Sequence, residues 1–387
     1  MKRALLLPLL VAGLYARSDA PVAREGRYWV QTIVGSHPVG ARDRLRISTR
    51  GRIKLQGGAS SGVAYTVKTR VDASSRGEAE RLLHEVRSDV GSQSGLHLSL
   101  AFPRRQNVWA DVYVTAPRTL AESHLESEAG GVEAYDMAGA VVAESAGGRI
   151  QMDRVGGPIT ARTGGGDIRF GRVGASVRCL TAGGAVRADH LGGESWLETA
   201  GGEIYLGEAM APVHVSTAGG NIRVSKAASY VDARTAGGLI EVYAAGGPVS
   251  AESSGGSITV NSARGVRCET AAGAISMRSV QGALRASTGL GSVFAQLPPG
   301  ARLEDSFLNT GSGDIVVVLP SNLAVTIRAR SELIGAGKIV SDFPEIRVDE
   351  AILTNARSAV AQGSLNGGGP LLRLATSGGV IYLRRQK

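Results

Sequence analysis

From residue 126 onward the chain repeats one pattern of apolar and variable positions, mostly on an 18-residue clock. One apolar column runs Ile150, Ile168, Val186, Ile204, Ile222, Ile240 and Ile258. Two residues further on runs Met152, Phe170, Ala188, Leu206, Val224, Val242 and Val260. A second pair of columns runs Val141, Ile159, Val177, Ser195, Val213, Val231 and Val249, with Ala143, Ala161, Cys179, Leu197, Val215, Ala233 and Ala251. The residue between paired positions varies freely: Arg169, Arg187, Tyr205, Arg223 and Glu241 in the first strand, and Arg178, Trp196, His214, Asp232 and Ser250 in the second. Apolar, variable, apolar is the signature of a short strand with one buried face. Each unit therefore predicts two short strands and two turns. No unit can bury its own face, but stacked units can, Ile on Ile and Val on Val. The predicted fold is all-β: a β-solenoid, single-stranded and β-helix-like, with about 18 residues per coil. A chain of β-hairpins forming a meander or barrel is the rival, but hairpin strands usually run longer, and a meander need not hold column identity.

The turns carry the second signal. Gly pairs stand at 147/148, 165/166, 183/184, 201/202, 219/220, 237/238 and 255/256, with Thr or Ser two residues before each pair. A coil this short must turn sharply, and glycine is expected there for its access to positive φ. The hydroxyl is expected to bond the turn backbone or its copy in the next coil. Coils stacked at about 4.8 Å give nine of them a core roughly 40 Å long.

The flanks are less regular. Residues 21–125 read as a β-rich N-terminal cap, 126–295 as the repeats, and 296–387 as a C-terminal continuation and cap, because the open ends of a solenoid need covering. Arg44 to Gly58 alternates as a hairpin or an imperfect coil. Ala64 to Ala73 and Asn107 to Pro117 read as strands. A single helix is expected over about 76–88, with Ala79, Leu82, Leu83 and Val86 on one face. Residues 1–20 have the form of a signal peptide cleaved after Ala20: Lys2 and Arg3, an apolar run from Ala4 to Ala16, then Ser18 and Ala20. That run is too short to span a bilayer, and no later run is long and apolar enough to do so. The expected location is exported: periplasm, cell surface or secreted.

Composition narrows the picture. The chain has 387 residues, 54 of them Gly, with 43% hydrophobic residues, so tight turns and a packed core are expected rather than disorder. Its formal charge is +9, and residues 1–20 hold three basic residues and one acid, which leaves +7 for the remainder. Such an excess favours anionic polymers, a phosphate-bearing glycan among them. No Lys/Arg block interleaved with aromatics occurs, so specific nucleic-acid binding has no support.

One resemblance is carried by the order of motifs: the leader, irregular strands, "VTAP" from Val114, stacked "TAGG-x-I" units, then "GSGDIVVVLP" from Gly311, "IGAGKIVSDFP" from Ile334 and "TSGGVIYL" from Thr376. Over roughly residues 40–387 this resembles the bacterial putative-adhesin family, a β-strand-repeat domain of unknown function. The resemblance implies a solenoid-like fold and an exported or envelope location. It brings no catalytic or ligand residues.

Chemistry is sparse. The six His form no close pair, and "TAGG" lacks the Lys and helix of a phosphate loop. A calcium ladder would need Asp at one repeat position, yet the residue after the Gly pair runs Arg149, Asp167, Ala185, Glu203, Asn221, Leu239, Ser257. No catalytic, cofactor or metal site is expected. Asp167, Asp189, Glu194 and Glu203 are the candidates for a carbohydrate-active enzyme, but Asp167 and Glu203 fall two coils apart, about 10 Å, in one column. Cys179 and Cys268 fall in one inward column five coils apart, too far for a disulfide. The expected function is a non-enzymatic, adhesin-like or envelope scaffold module with an envelope or surface partner, an anionic glycan or a protein. Its expected surface comprises Arg169, Arg187, Arg223, Tyr205 and Trp196, with Trp196 and Tyr205 on a shared face. Two alternatives stay open: a polysaccharide lyase or hydrolase on a β-helix, and an accessory partner of an envelope-stress system.

Overall fold

The computed structural model describes residues 21–40, 43–91, 95–102, 107–333, 338–353 and 356–386. The expected signal peptide, residues 1–20, lies outside them. Among the described residues the fold is a β-solenoid with one α-helix, and no helix is long and apolar enough to cross a membrane. The chain clusters into two compact units that meet in sequence at Ile159 and Thr160.

In the second unit each coil places one strand in each of two sheets. Sheet A holds Ile168–Val173, Val186–Leu191, Ile204–Ala209, Ile222–Ala227 and their successors; sheet B holds Val177–Thr181, Ser195–Thr199, Val213–Thr217, Val231–Thr235 and theirs. The strands named here are parallel and in register, Ile204 beside Ile222 and Leu197 beside Val215. This is the pairing the columns predict. The inward residues are almost completely removed from water, and each Val or Ile so buried contributes roughly 1.5–3 kcal/mol.

The corners depart from expectation. None of the paired glycines from Gly183 to Gly256 adopts positive φ. The second glycine of each pair is needed for closeness instead: a Cβ on Gly202 would lie 2.0 Å from the Gly184 carbonyl oxygen, and one on Gly220 1.9 Å from that of Gly202. The first glycine is not so confined, since a Cβ on Gly201 meets nothing nearer than 3.9 Å. The hydroxyl bonds its own turn as expected, and its second bond reaches the preceding coil, not the next. Thr199 Oγ1 donates to Gly184 O of the preceding coil (2.8 Å) and accepts from Gly202 N–H of its own (3.1 Å). Thr217 and Thr235 repeat the arrangement. These threonines are buried, so each hydroxyl satisfies backbone groups that water does not reach.

At the C-terminal end the stacking order leaves the sequence order. Leu371–Thr376 lies between Ser306–Ser312 and Val325–Leu333, parallel to both, and Val380–Arg385 lies between Ile315–Leu319 and Lys338–Ser341. The corner ladder follows: Thr376 Oγ1 donates to Gly313 O and Ser331 Oγ to Gly379 O. Antiparallel strands Ala356–Leu365 and Arg347–Leu353 extend sheet B past Val325–Leu333.

The first unit has a similar inversion. Arg44–Thr49 pairs with Gly95–Ala101 and Glu122–Ser127, and Ile53–Gly58 with Val108–Pro117 and Val132–Tyr135, all parallel. Arg44 to Gly58 is thus a coil, not a hairpin. Tyr28–Pro38, Gly62–Val71 and Val108–Pro117 form an antiparallel sheet. The helix, Arg76–Glu85, is shorter than the expected 76–88: Val86 N–H closes onto Leu83 O, and a strand opens at Arg87. Ser75 caps its start by accepting from Glu78 N–H. Leu82 and Leu83 pack with Val71 and Val108, and Val86 covers that cluster from a partly buried position.

Candidate functional site

The outward faces of sheets A and B in the second unit carry the side chains that the core columns leave variable. On sheet A the register stacks Arg169, Arg187, Tyr205, Arg223 and Glu241 in one row. Four of the five expected interaction residues are therefore brought together. Trp196 is not among them. It stands on sheet B between Arg178 and His214, so Trp196 and Tyr205 do not share a face: successive strands of the chain alternate between the sheets.

The sheet A row satisfies itself. Arg223 Nε donates to Glu241 (2.7 Å), which raises the Arg223 pKa above its ordinary value. Arg187 lies over the Tyr205 ring at 4.5 Å and within 3.5 Å of Asp189, which Arg169 also approaches at 3.9 Å. A neighbouring row runs His190, Glu208, Lys226. Glu208 takes Lys226 at 2.8 Å and His190 at 3.2 Å, and these hydrogen bonds, Lys226 first, hold its carboxyl below the usual glutamate range.

The four carboxylates singled out as enzymatic candidates are also committed. Asp167 accepts from Ala185 N–H of the next coil, Glu203 from Asn221 Nδ2, Asp189 pairs with the two arginines, and Glu194 lies 3.7 Å from His214 Nε2. The position after the Gly pair has a structural use that its varied chemistry hides. Asp167, Asn221 and Ser257 each accept the backbone N–H of their register successors Ala185, Leu239 and Ala274. Among the described residues no three His, Cys, Asp or Glu side chains gather as a metal-holding group. Cys179 and Cys268 are free and buried in one inward column, and burial pushes the Cys179 thiol up to about 12.

Sheet B differs where the clock falters. Its regular strands have five residues, but Ala263–Thr270 has eight and Val280–Leu290 eleven, with a register shift between Arg264 and Val266. The step from Ser253 to Thr270 is 17 residues and from Thr288 to Thr310 it is 22. The surplus residues build a wall. Gly282, at φ +82°, donates to Arg302 O (2.6 Å) and accepts from Glu304 N–H (3.2 Å). Beside that wall runs an open groove of about 1010 Å³, floored by the outward sheet B residues Ser250, Glu252, Arg267, Glu269 and Arg285 and lined further by Arg264, Gln281, Arg302, Glu304, Tyr230 and Arg234. Arg267 pairs with Glu269 (2.8 Å), and Arg234 with Asp232 (3.1 Å) and Glu252 (3.7 Å). Arg264, Arg285 and Arg302 are exposed and have no carboxylate partner among the described residues.

This groove is absent from the sequence expectation. Its signal was the 17- and 22-residue steps, together with the change of the outward sheet B column to Arg267 and Arg285. Next to it, Trp196 and His214 stack with ring centroids 5.4 Å apart, and Tyr230 meets His214 edge-on at 6.1 Å.

No protein-family model matches the chain, and no curated protein matches it. Among solved structures, the chain is similar to a putative adhesin from Bacteroides fragilis, with 12% identity, 68% of this chain and 97% of that one covered, and a TM-score of 0.30. It is also similar to a putative cell adhesion protein from Clostridium sporogenes, with 7% identity, 92% of this chain and all of that one covered, and a TM-score of 0.18.

Proposed function

We propose that the protein is an exported, non-enzymatic interaction module, adhesin-like in use, which holds an anionic partner in the groove on sheet B. One observation carries the reading. Arg264, Arg285 and Arg302 reach the groove without a carboxylate partner, while the sheet A arginines Arg169, Arg187 and Arg223 are all engaged by neighbours. Unpaired guanidinium groups on a concave surface attract anions and fix them through charge-assisted hydrogen bonds. Export is supported by the leader-like residues 1–20. The test is binding of the full chain to a panel of carboxylated, sulfated and phosphorylated polymers. Arg285→Gln with Arg302→Gln is expected to lose the binding that Arg169→Ala with Arg187→Ala retains. A panel in which nothing binds, or in which only the sheet A pair matters, removes the groove from consideration.

The enzymatic alternative keeps one supporting observation. Glu252 and Glu269 are register partners on adjacent coils, about 4.8 Å apart by strand spacing, near the separation used by retaining glycosidases. Both are committed to arginines, however. Hydrolysis of an acidic polysaccharide that disappears in Glu252→Gln or Glu269→Gln would put this reading first.

A further inference from the structure

We infer that the occupant of the groove is an acidic polysaccharide: an extended, hydroxyl-rich chain with carboxylates on spaced sugars. This rests on the reading of the groove as an anion-binding site, and four features narrow the anion.

The first is the mixture of signs. Glu252, Glu269 and Glu304 line the same groove as the arginines, and the Glu304 carboxylate has no partner among the described residues. A polymer that offers charge but no hydroxyl donors, such as polyphosphate, is repelled by these carboxylates with nothing to offset the repulsion. A glycan presents both what the arginines accept and what the glutamates accept, because its carboxylates take guanidinium donors while its hydroxyls donate to carboxylate oxygens.

The second is extent. Arg267 and Arg285 are register neighbours on adjacent coils, two guanidinium groups about 4.8 Å apart along the stack, and Arg264 and Arg302 line the same groove. That suits a chain lying along the coils better than a single small anion, and about 1010 Å³ stands at the large end of small-ligand sites.

The third is the groove's position on the face of a parallel sheet. The floor strands Val249–Ser253, Ala263–Thr270 and Val280–Leu290 pair with one another, which leaves no open sheet edge to add a peptide strand. Recognition there falls to side chains.

The fourth is the half-buried Tyr230 beside exposed Pro248, which offers apolar surface to the C–H face of a sugar ring.

The test uses the full chain with four probes: polygalacturonate, its methyl ester, polyphosphate and poly-glutamate, with titration calorimetry as the readout. Polygalacturonate is expected to bind, and the ester, which keeps the backbone but caps the charges, is expected not to. Arg285→Gln with Arg302→Gln should weaken polygalacturonate about tenfold or more, with thermal unfolding unchanged. Glu304→Ala should weaken polygalacturonate and strengthen polyphosphate, because the first loses an acceptor and the second a repulsion. If polyphosphate or poly-glutamate binds as tightly and with the same arginine dependence, the groove stands and the glycan assignment falls. Equal binding of ester and acid also overturns the assignment, as does a Glu304→Ala variant that binds polygalacturonate more tightly. If polygalacturonate binding ignores the arginine pair, or no probe binds, the groove reading itself fails.

Discussion

The outward row of sheet A and the groove of sheet B belong to the same compact unit, and they use arginine in opposite ways. Along the sheet A row from Arg169 to Glu241 the period holds, so each side chain meets its register neighbour about 4.8 Å away, and charges settle between coils: Arg223 on Glu241, and Lys226 and His190 on Glu208. In sheet B the period breaks between Ser253 and Thr310. The longer strands shift the register, a wall rises at Gly282, and Arg264, Arg285 and Arg302 are left without carboxylates. In this sheet A row regular stacking neutralises the arginines, and in the groove irregular stacking leaves three of them unpaired. An arginine's sequence column therefore says less about its availability than whether the coil on either side keeps step.

The glycines give the largest contrast to test. In the regular coils the second glycine of the pair is confined by the backbone of the coil before it. Gly202→Ala would force a Cβ to within 2.0 Å of the Gly184 oxygen, so it should destabilise by about 3 kcal/mol or more, since a stacked backbone cannot give way as a side chain can. In the irregular coils Gly282 is needed for its φ of +82°, and a Cβ there meets nothing nearer than the Gly265 backbone nitrogen at 3.3 Å. Gly282→Ala should cost about 1–2 kcal/mol and loosen the groove wall. Gly201→Ala, with nothing nearer than 3.9 Å, should stay within about 0.5 kcal/mol of the parent. Thermal unfolding of the three variants checks the order, and an equal loss at Gly201 and Gly202 would refute closeness as the reason for the pair.

These glycines also mark how much the sequence could show. Column identity is legible because a buried position tolerates few residue types, so the strands, their inward faces and the parallel stacking all follow from Ile204, Ile222 and Ile240 recurring in step. The reason for the glycines is not legible: Gly201 and Gly202 look alike in sequence and differ only in what the preceding coil places beside them. The terminal order is hidden for a related reason. "TGSGDIVV" at Thr310 and "TSGGVIYL" at Thr376 are interchangeable as coils, so spacing does not reveal that Leu371–Thr376 docks directly on Ser306–Ser312. The groove escapes because it depends on how the surplus residues 280–283 and 298–305 fold back. The resemblance named the fold and supplied no site, and the expected surface of Arg169, Arg187, Arg223, Tyr205 and Trp196 joined two faces that alternate strands keep apart.

A second pair of variants separates the two arginine sets by function. Arg285→Gln with Arg302→Gln should lower affinity for an acidic polymer about tenfold or more, while Arg169→Ala with Arg187→Ala should change it less than about twofold. The groove interaction should weaken as salt rises, because its charges are exposed and screened. Affinity that is independent of salt would show that the arginines do not carry it.

The smallest effect concerns acid. Glu208 has a folded-state pKa below the ordinary 4.5, chiefly through Lys226 and then His190. A carboxylate depressed in this way adds stability at pH above its unfolded value, and that stability is lost as pH falls through the folded value. Unfolding temperature should therefore be level with respect to this group above about pH 5 and decline below 4.5. Glu208→Gln should flatten the decline, because its side chain no longer titrates. Arg285→Gln should leave the acid slope as it was, since Arg285 has no carboxylate whose protonation would release it. Identical acid slopes for the parent and Glu208→Gln would mean that the sheet A row stacks its charges without coupling them to folding, and the contrast with the groove would then rest on ligand binding alone.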